Sequence, residues 1–235
     1  MLHRPLSAGL TLPIKTPPLA GAAAEAPTEE AAVAAPPGPA LRVEVAVAEG
    51  DEVAGGAVVA RLRADPSIAL VAPMAGRVAA VRLRPGRQLD EIVLFREPGG
   101  DRRRHDTAAA GSDDAALRAL MQEAGVWPLL RRRPFGGMPP AGEVPAAIFV
   151  MAADTRPLAP DPALALAGRE EDFARGLDAL ARLTGGPVVL CQTAGAVLAA
   201  RDAARGRLQV LTCGPRHPQG LAGLQIHRDT QGEGA

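Results

Sequence analysis

Tyrosine is absent from this chain, tryptophan occurs once, at Trp127, and aromatics make up only 2% of its 235 residues. That scarcity removes the stacking platforms on which single-stranded nucleic acids lie. Charge offers no pull toward nucleic acid either, because Lys+Arg and Asp+Glu both number 26. Long apolar runs are missing too: Ala146–Ala153, among the best, falls far short of the ~20 residues a membrane helix needs. The opening MLHRPLSAGL has a basic residue but no continuous apolar stretch of the signal-peptide kind. Cys191 and Cys213 are too far apart for a CxxC motif and give no disulfide framework. His3, His105, His217 and His227 show no metal-ligand spacing. The expectation is a soluble, cytoplasmic protein without a membrane span or metal site, binding no nucleic acid. Any work at a membrane would then run through partner subunits.

What is present divides the chain. Residues 1–40 read as a short strand, LTLPI at Leu10–Ile14, followed by an Ala/Pro-rich linker from Lys15 to Ala40. From Leu41 the pattern changes: Leu41, Val43, Val45 and Val47 alternate with smaller or polar residues, the period of a half-buried strand. VAPMAGRV at Val71–Val78 gives another strand–turn–strand signal. VAVAEGDEV (Val45–Val53) and VRLRPGRQL (Val81–Leu89) form an internal repeat, with Gly50 matching Gly86. Two related strand–turn units suggest a quasi-twofold sandwich of short strands over residues 41–98. The pattern resembles the biotinyl/lipoyl-like barrel-sandwich hybrid, with an unrelated β-meander as the alternative. A carrier role fails on chemistry, since biotin or lipoate needs a lysine amine at the hairpin tip. Ala64–Asp65–Pro66 stands at that tip, and the chain's one lysine is Lys15. No covalent cofactor is expected.

Residues 99–111 read as a polar connector, within which Arg102–Arg104 is a solvated charge run. Ser112 is expected to cap a helix with Asp113 and Asp114 in its first turn, Leu117, Leu120, Met121 and Ala124 on its apolar stripe, and Gly125 at its end. Strand and helix then alternate: a strand at Ala147–Ala152, a helix at Glu170–Leu183, a strand at Pro187–Cys191, a helix at Ala194–Arg205, and a strand at Leu208–Leu211. The β-α-β-α-β order implies a small parallel α/β (Rossmann-like) domain over 112–226, with 227–235, His227 and the RDTQGEGA that follows it, a flexible tail.

In an open parallel sheet, ligands bind beyond the carboxyl ends of the strands. Asp154–Thr155–Arg156, Gln192–Thr193 and Cys213–His217 all fall at that edge. Asp154 and Thr155 could equally only cap a following turn. The last segment continues into TCGPRHPQGLAG (Thr212–Gly223), which holds three glycines and two prolines in twelve residues. Such a stretch is a shaped loop rather than helix or ladder. It resembles the GPHPAGLAG stretch of the A subunit of the sodium-translocating NADH:quinone reductase. LTLPI, RRPFGGMP (Arg132–Pro139), AIFVMAADTRPL (Ala147–Leu158) and FARGLDALARLTGGPVVLC (Phe173–Cys191) agree with the same family in order and rough spacing.

The resemblance implies a component on the cytoplasmic side of a membrane-bound, sodium-transporting complex. It would be peripheral to the membrane's inner face through partner subunits, without redox centres, not catalytic alone, and linked to ubiquinone handling or assembly. AADTRPL has no glycine with which backbone amides could wrap a pyrophosphate, and PFGGMP is a poor remnant of the glycine-rich stretch carried by flavin-binding relatives. The flavin site is read as lost. Gly214, Pro215, His217, Gly220 and Gly223, with Asp154 and Thr155, are expected to shape a contact surface for a quinone headgroup or a partner polypeptide. Arg133, within the Arg131–Arg133 run, is expected to meet an acidic partner surface or stay solvated. The opposing reading is a stand-alone binding or assembly module that no longer joins a pump. It draws on the Ala/Pro-rich segment, the extra Arg216 beside His217, and the end of the family pattern after AGLQIH. A self-sufficient flavin or NAD enzyme has least support.

Overall fold

The computed structural model describes residues 9–10, 14, 26–35, 40–199 and 203–232, the last three by backbone alone. Most of LTLPI and much of the Lys15–Ala40 segment therefore lie outside the described residues. Two compact units emerge, Ala26–Glu143 and a second that joins Val144–Ala235 to the residues up to Glu25.

The first unit is a sandwich of two antiparallel sheets. One has the order β1-β7-β6-β3, built from β1 (Glu30–Ala34), β3 (Glu52–Val53), β6 (Gly76–Arg84) and β7 (Gln88–Arg96). The other has the order β2-β4-β5, from β2 (Val43–Val45), β4 (Val58–Leu62) and β5 (Ala69–Val71). Alternation of apolar and polar residues sends Val43, Val59, Leu62, Leu70, Val78, Ile92 and Leu94 into the shared core. Each such side chain contributes about 1.5–3 kcal/mol on burial.

Three expectations change here. The linker reading of Lys15–Ala40 fails at Glu30–Ala34, which pairs with β7 from Glu30↔Phe95 to Ala34↔Glu91. Ala31 and Val33 are its inward side, a period that surrounding alanines hide, and the ladder overrides alanine's weak strand preference. The internal repeat also splits. VRLRPGRQL closes a hairpin with a register shift at Arg82/Leu83, whereas the chain crosses between sheets inside VAVAEGDEV, from the Ala46 N–H on Val59 O to the Gly50 N–H on Val78 O at 2.8 Å. Finally, the connector is partly structured. Arg103 N–H donates to Gly55 O, Gly55 N–H donates to Asp101 O, and a short helix α1 spans Ala108–Ser112.

Helix α2 (Asp114–Glu123) starts one residue later than expected, because Asp113 rather than Ser112 accepts the Ala115 N–H. Leu117 and Met121 are its buried stripe. Gly125 follows with φ of +72°, a conformation that L side chains avoid, against Val71 of β5. Beyond a short turn of 3-10 helix at Trp127–Leu129, the Trp127 ring is buried, its Nε1–H on Pro139 O at 2.9 Å and the Arg118 guanidinium 5.1 Å from its centre.

The second unit holds a parallel sheet of order β10-β9-β8, from β8 (Ile148–Ala152), β9 (Val188–Thr193) and β10 (Leu208–Cys213). Central β9 is buried from Val188 to Gln192, as a strand covered on both faces must be. On one face, α4 (Glu170–Ala181) packs Leu177 and Ala181 against Val150, Val188 and Leu208. On the other, Phe149, Met151, Ala153, Val189, Cys191, Leu211 and Cys213 form a second core. A short α3 (Pro162–Leu166) lies between β8 and α4.

The expected helix at Ala194–Arg205 is not formed among the described residues, which show a turn and a short 3-10 helix at Ala204–Gly206. The Gln192 amide donates to Ala196 O and holds that turn, which Gly195 enters at positive φ. The expected tail is replaced as far as Gly232 by α5 (Ala222–Gly232), which packs on β8.

Candidate functional site

The carboxyl ends of β8, β9 and β10 release three loops on one edge of the sheet, as the strand order requires. Thr155, just past β8, is the joint between two of them. Its Oγ1 accepts the Gly220 N–H at 2.8 Å and lies 3.4 Å from His217 Nδ1. A Cβ at Gly220 would stand 2.5 Å from Thr155 N and 3.1 Å from Ala153 O, so only glycine lets the two loops close. Where the Thr155 hydroxyl donates to Nδ1, the imidazole carries its proton on Nε2 and offers a donor there; where Nδ1 carries the proton, the ring donates to Thr155 and Nε2 accepts. The backbone of the same histidine is occupied: Leu10 N–H donates to His217 O at 3.0 Å.

Two glutamines that sequence reasoning missed complete the loop. Buried Gln219 accepts the Gly214 N–H on Oε1 at 2.7 Å, and Gln225, fully buried on α5, donates through Nε2 to Gln219 O at 2.5 Å. The loop is thus braced from within by side-chain amides. Two glutamines six apart in an otherwise apolar and glycine stretch, QGLAGLQ, were the available signal.

Asp154 plays the local role: its Oδ1 accepts the Arg156 N–H at 3.0 Å, and both oxygens take the Arg156 guanidinium. The Arg156 hydrogen bonds hold its carboxyl below the ordinary aspartate range, against a smaller opposing effect of burial. Asp154 thus caps its own turn, as one of the two readings had it, while Thr155 joins the loops. Pro215 is exposed at the loop's outer side. Gly223 is not part of the loop, because it lies in the first turn of α5 with nothing within 4 Å of a Cβ there. Arg133 belongs to the sandwich unit and is exposed. Cys191 and Cys213 are buried beneath the edge, and donation of the Cys191 S–H to the Cys213 sulfur together with burial pushes the Cys191 thiol up, away from reactivity. A cleft of about 320 Å³ at Gly185–Pro187 and Gly206–Gln209 sits at the opposite, amino edge.

Comparison with known families agrees with both halves. The model for the NqrA N-terminal barrel-sandwich hybrid domain matches residues 5–97, and that for the NqrA second alpha/beta domain matches residues 112–231. The A subunit of the Na(+)-translocating NADH-quinone reductase of Neisseria meningitidis serogroup C is 37% identical over 191 residues, 80% of this chain and 42% of that protein. Its counterpart from Shewanella amazonensis is 38% identical over 193 residues, covering 80% of this chain and 41% of its own length. The chain thus spans about two fifths of these relatives. Two consecutive domain matches, in the order and architecture the structure displays, place this chain in the NqrA family.

Proposed function

We propose that the chain serves as the A subunit of a sodium-translocating NADH:quinone reductase, and that the carboxyl edge of its parallel sheet forms a contact surface shared with another polypeptide. The observation that carries this reading is the junction of Thr155, Gly220 and His217, which presents an imidazole edge on a loop braced by Gln219 and Gln225. In the tautomer protonated at Nε2, His217 suits a carbonyl oxygen, whether of a ubiquinone headgroup or of a partner's backbone. A largely apolar, enclosed pocket is the usual home of a quinone, and this edge offers glycine, proline and polar groups instead, which favours a site completed by a partner. On this reading no flavin resides at the edge, and the engagement of the Arg156 N–H and guanidinium by Asp154, donors that a phosphate would need, supports it. On this reading the chain has no redox group, does not catalyse alone, and reaches the inner face of the cytoplasmic membrane through other subunits. No described helix is long and apolar enough to cross a membrane.

His217→Ala tests the assignment. The variant should keep its circular dichroism and lose about 1 kcal/mol or less in stability, since its ring makes one long hydrogen bond. Capture of the membrane subunits, or of a ubiquinone analogue by their joint complex, should weaken several-fold. Unfolding, with capture lost only in proportion, would make the loop a structural element. Folded protein with undiminished capture would return the stand-alone module as the better reading.

A further inference from the structure

We infer that the sandwich unit carries a separate site for a phosphate-bearing anion, in the cavity between the Pro73–Ala75 turn and the Gly99–Arg103 segment. The cavity measures about 560 Å³, within the usual size of ligand sites. Arg96, Arg102 and Arg103 line it against a single carboxylate, Glu97, which itself lies 3.7 Å from Arg77. The three cations are differently engaged. Arg103 is held by Glu123 at 2.6 Å, Arg96 has Glu29 only at 4.0 Å, and Arg102 has no ion pair among the described residues.

The backbone adds to this. The N–H groups of Met74, Ala75, Gly99 and Arg102, all lining residues, make no hydrogen bond among the described residues. Unengaged amides beside guanidinium groups are the donor set that phosphate oxygens take, and several donors around one space favour an anion with several oxygens. The remaining walls, such as Val71, Ala72 and Pro73, are small and aliphatic, with no aromatic ring on which a base could stack. The ligand chemistry is therefore a compact phosphate group, free or as a lipid headgroup, and it owes nothing to the sheet edge of the other unit. The Arg102–Arg104 run, expected to be only solvated, supplies two of the three cations.

The test is calorimetric titration of the whole chain with inorganic pyrophosphate. Binding should appear and weaken as salt rises. The double variant Arg96→Gln/Arg102→Gln should lower affinity at least ten-fold, while Arg82→Gln/Arg84→Gln, which removes equal charge from the exposed β6–β7 hairpin, should leave it unchanged. Arg102→Gln alone, at an exposed side chain without an ion pair among the described residues, should show the same direction if the double variant is destabilised. Co-sedimentation with phosphatidylglycerol vesicles against phosphatidylcholine ones separates the sources. Pyrophosphate-sensitive binding to the former marks a lipid headgroup, and pyrophosphate binding without vesicle binding marks a free phosphate. No pyrophosphate heat and no vesicle binding, or equal loss in both double variants, would overturn the site.

Discussion

Each compact unit holds a carboxylate clasped by arginine, and the two do different work. In the sandwich unit Glu123, at the end of α2, receives Arg61 of β4 at 2.7 Å and Arg103 of the connecting segment at 2.6 Å, so one side chain ties three separate pieces of chain. In the α/β unit Asp154 binds Arg156, two residues away, and ties only its own turn. The edge loop must then be shaped by something else, and it is shaped by backbone approach at Gly220 and by the amides of Gln219 and Gln225. Long-range ion pairs organise the first unit's periphery; neutral hydrogen bonds organise the second unit's edge. Hydrogen bonds between neutral groups brace the loop beside the charged Asp154–Arg156 turn, and they leave polar groups at the edge that suit contact with a carbonyl-bearing partner.

The sharpest way to break this comparison is steric. Gly220→Ala puts a Cβ 2.5 Å from Thr155 N and 2.9 Å from its Oγ1, where a backbone atom cannot swing aside. We expect a loss of about 2–3 kcal/mol in urea unfolding, from strain and the displaced Gly220–Thr155 hydrogen bond. Gly223→Ala, three residues on, meets nothing within 4 Å and sits in α5. It should be neutral or stabilise by up to about 1 kcal/mol, the ordinary helix preference of alanine over glycine. Equal costs at the two positions would mean that Gly220 does not close the loops.

Glu123→Gln comes next. Burial alone would raise this carboxyl, but the hydrogen bonds and charges of Arg61 and Arg103 outweigh it and leave the group lowered. A depressed folded value contributes stability that is fully present above the unfolded value, about 4.3 for glutamate, and is lost as pH falls through the folded one. At pH 7 the variant should lose about 1–2 kcal/mol, a charge-assisted figure discounted for the partial exposure of all three side chains. The gap from the parent should close in acid below about pH 4. A gap that does not narrow there would assign the loss to packing rather than charge.

Legibility in the sequence followed the same divide. Val188–Cys191 is a continuous apolar run between glycine and loop signals, and it is the buried central strand. Gly125 as a helix end and the Val71–Gly76 turn were equally plain, because each depends on residues near in sequence. Glu30–Ala34 was hidden, since five residues of EAAVA look like linker until β7 supplies a ladder. Ala194–Arg205 misled in the opposite way: alanine favours helix, yet the Gln192 amide and Gly195 turn the chain at once. The polar RDTQG stretch reads as tail, but α5 is held by burying Gln225 and packing on β8, a tertiary gain that propensity does not contain. At the site, residue types placed Thr155, Gly220 and His217 together through strand order alone. The glutamine braces were illegible because their partners are backbone groups whose positions depend on the loop's path.

The smallest effect should be that of Asp154→Asn. The asparagine oxygen can still accept the Arg156 N–H, so the turn survives, and what disappears is the charge facing an exposed guanidinium. Solvent screens such a pair heavily. Asp154 is nevertheless lowered in the folded state, chiefly by the Arg156 hydrogen bond, so the sign is defined: any stability it contributes is present above about pH 3.9 and fades as pH falls through the folded value. Urea unfolding at pH 7 and again near pH 3 should therefore show a difference from the parent smaller than that of Glu123→Gln, shrinking in acid. A cost equal to or larger than that of Glu123→Gln would show that Asp154 braces more than its own turn. The edge would then owe its shape to charge after all, and a partner that meets it would have to answer that charge.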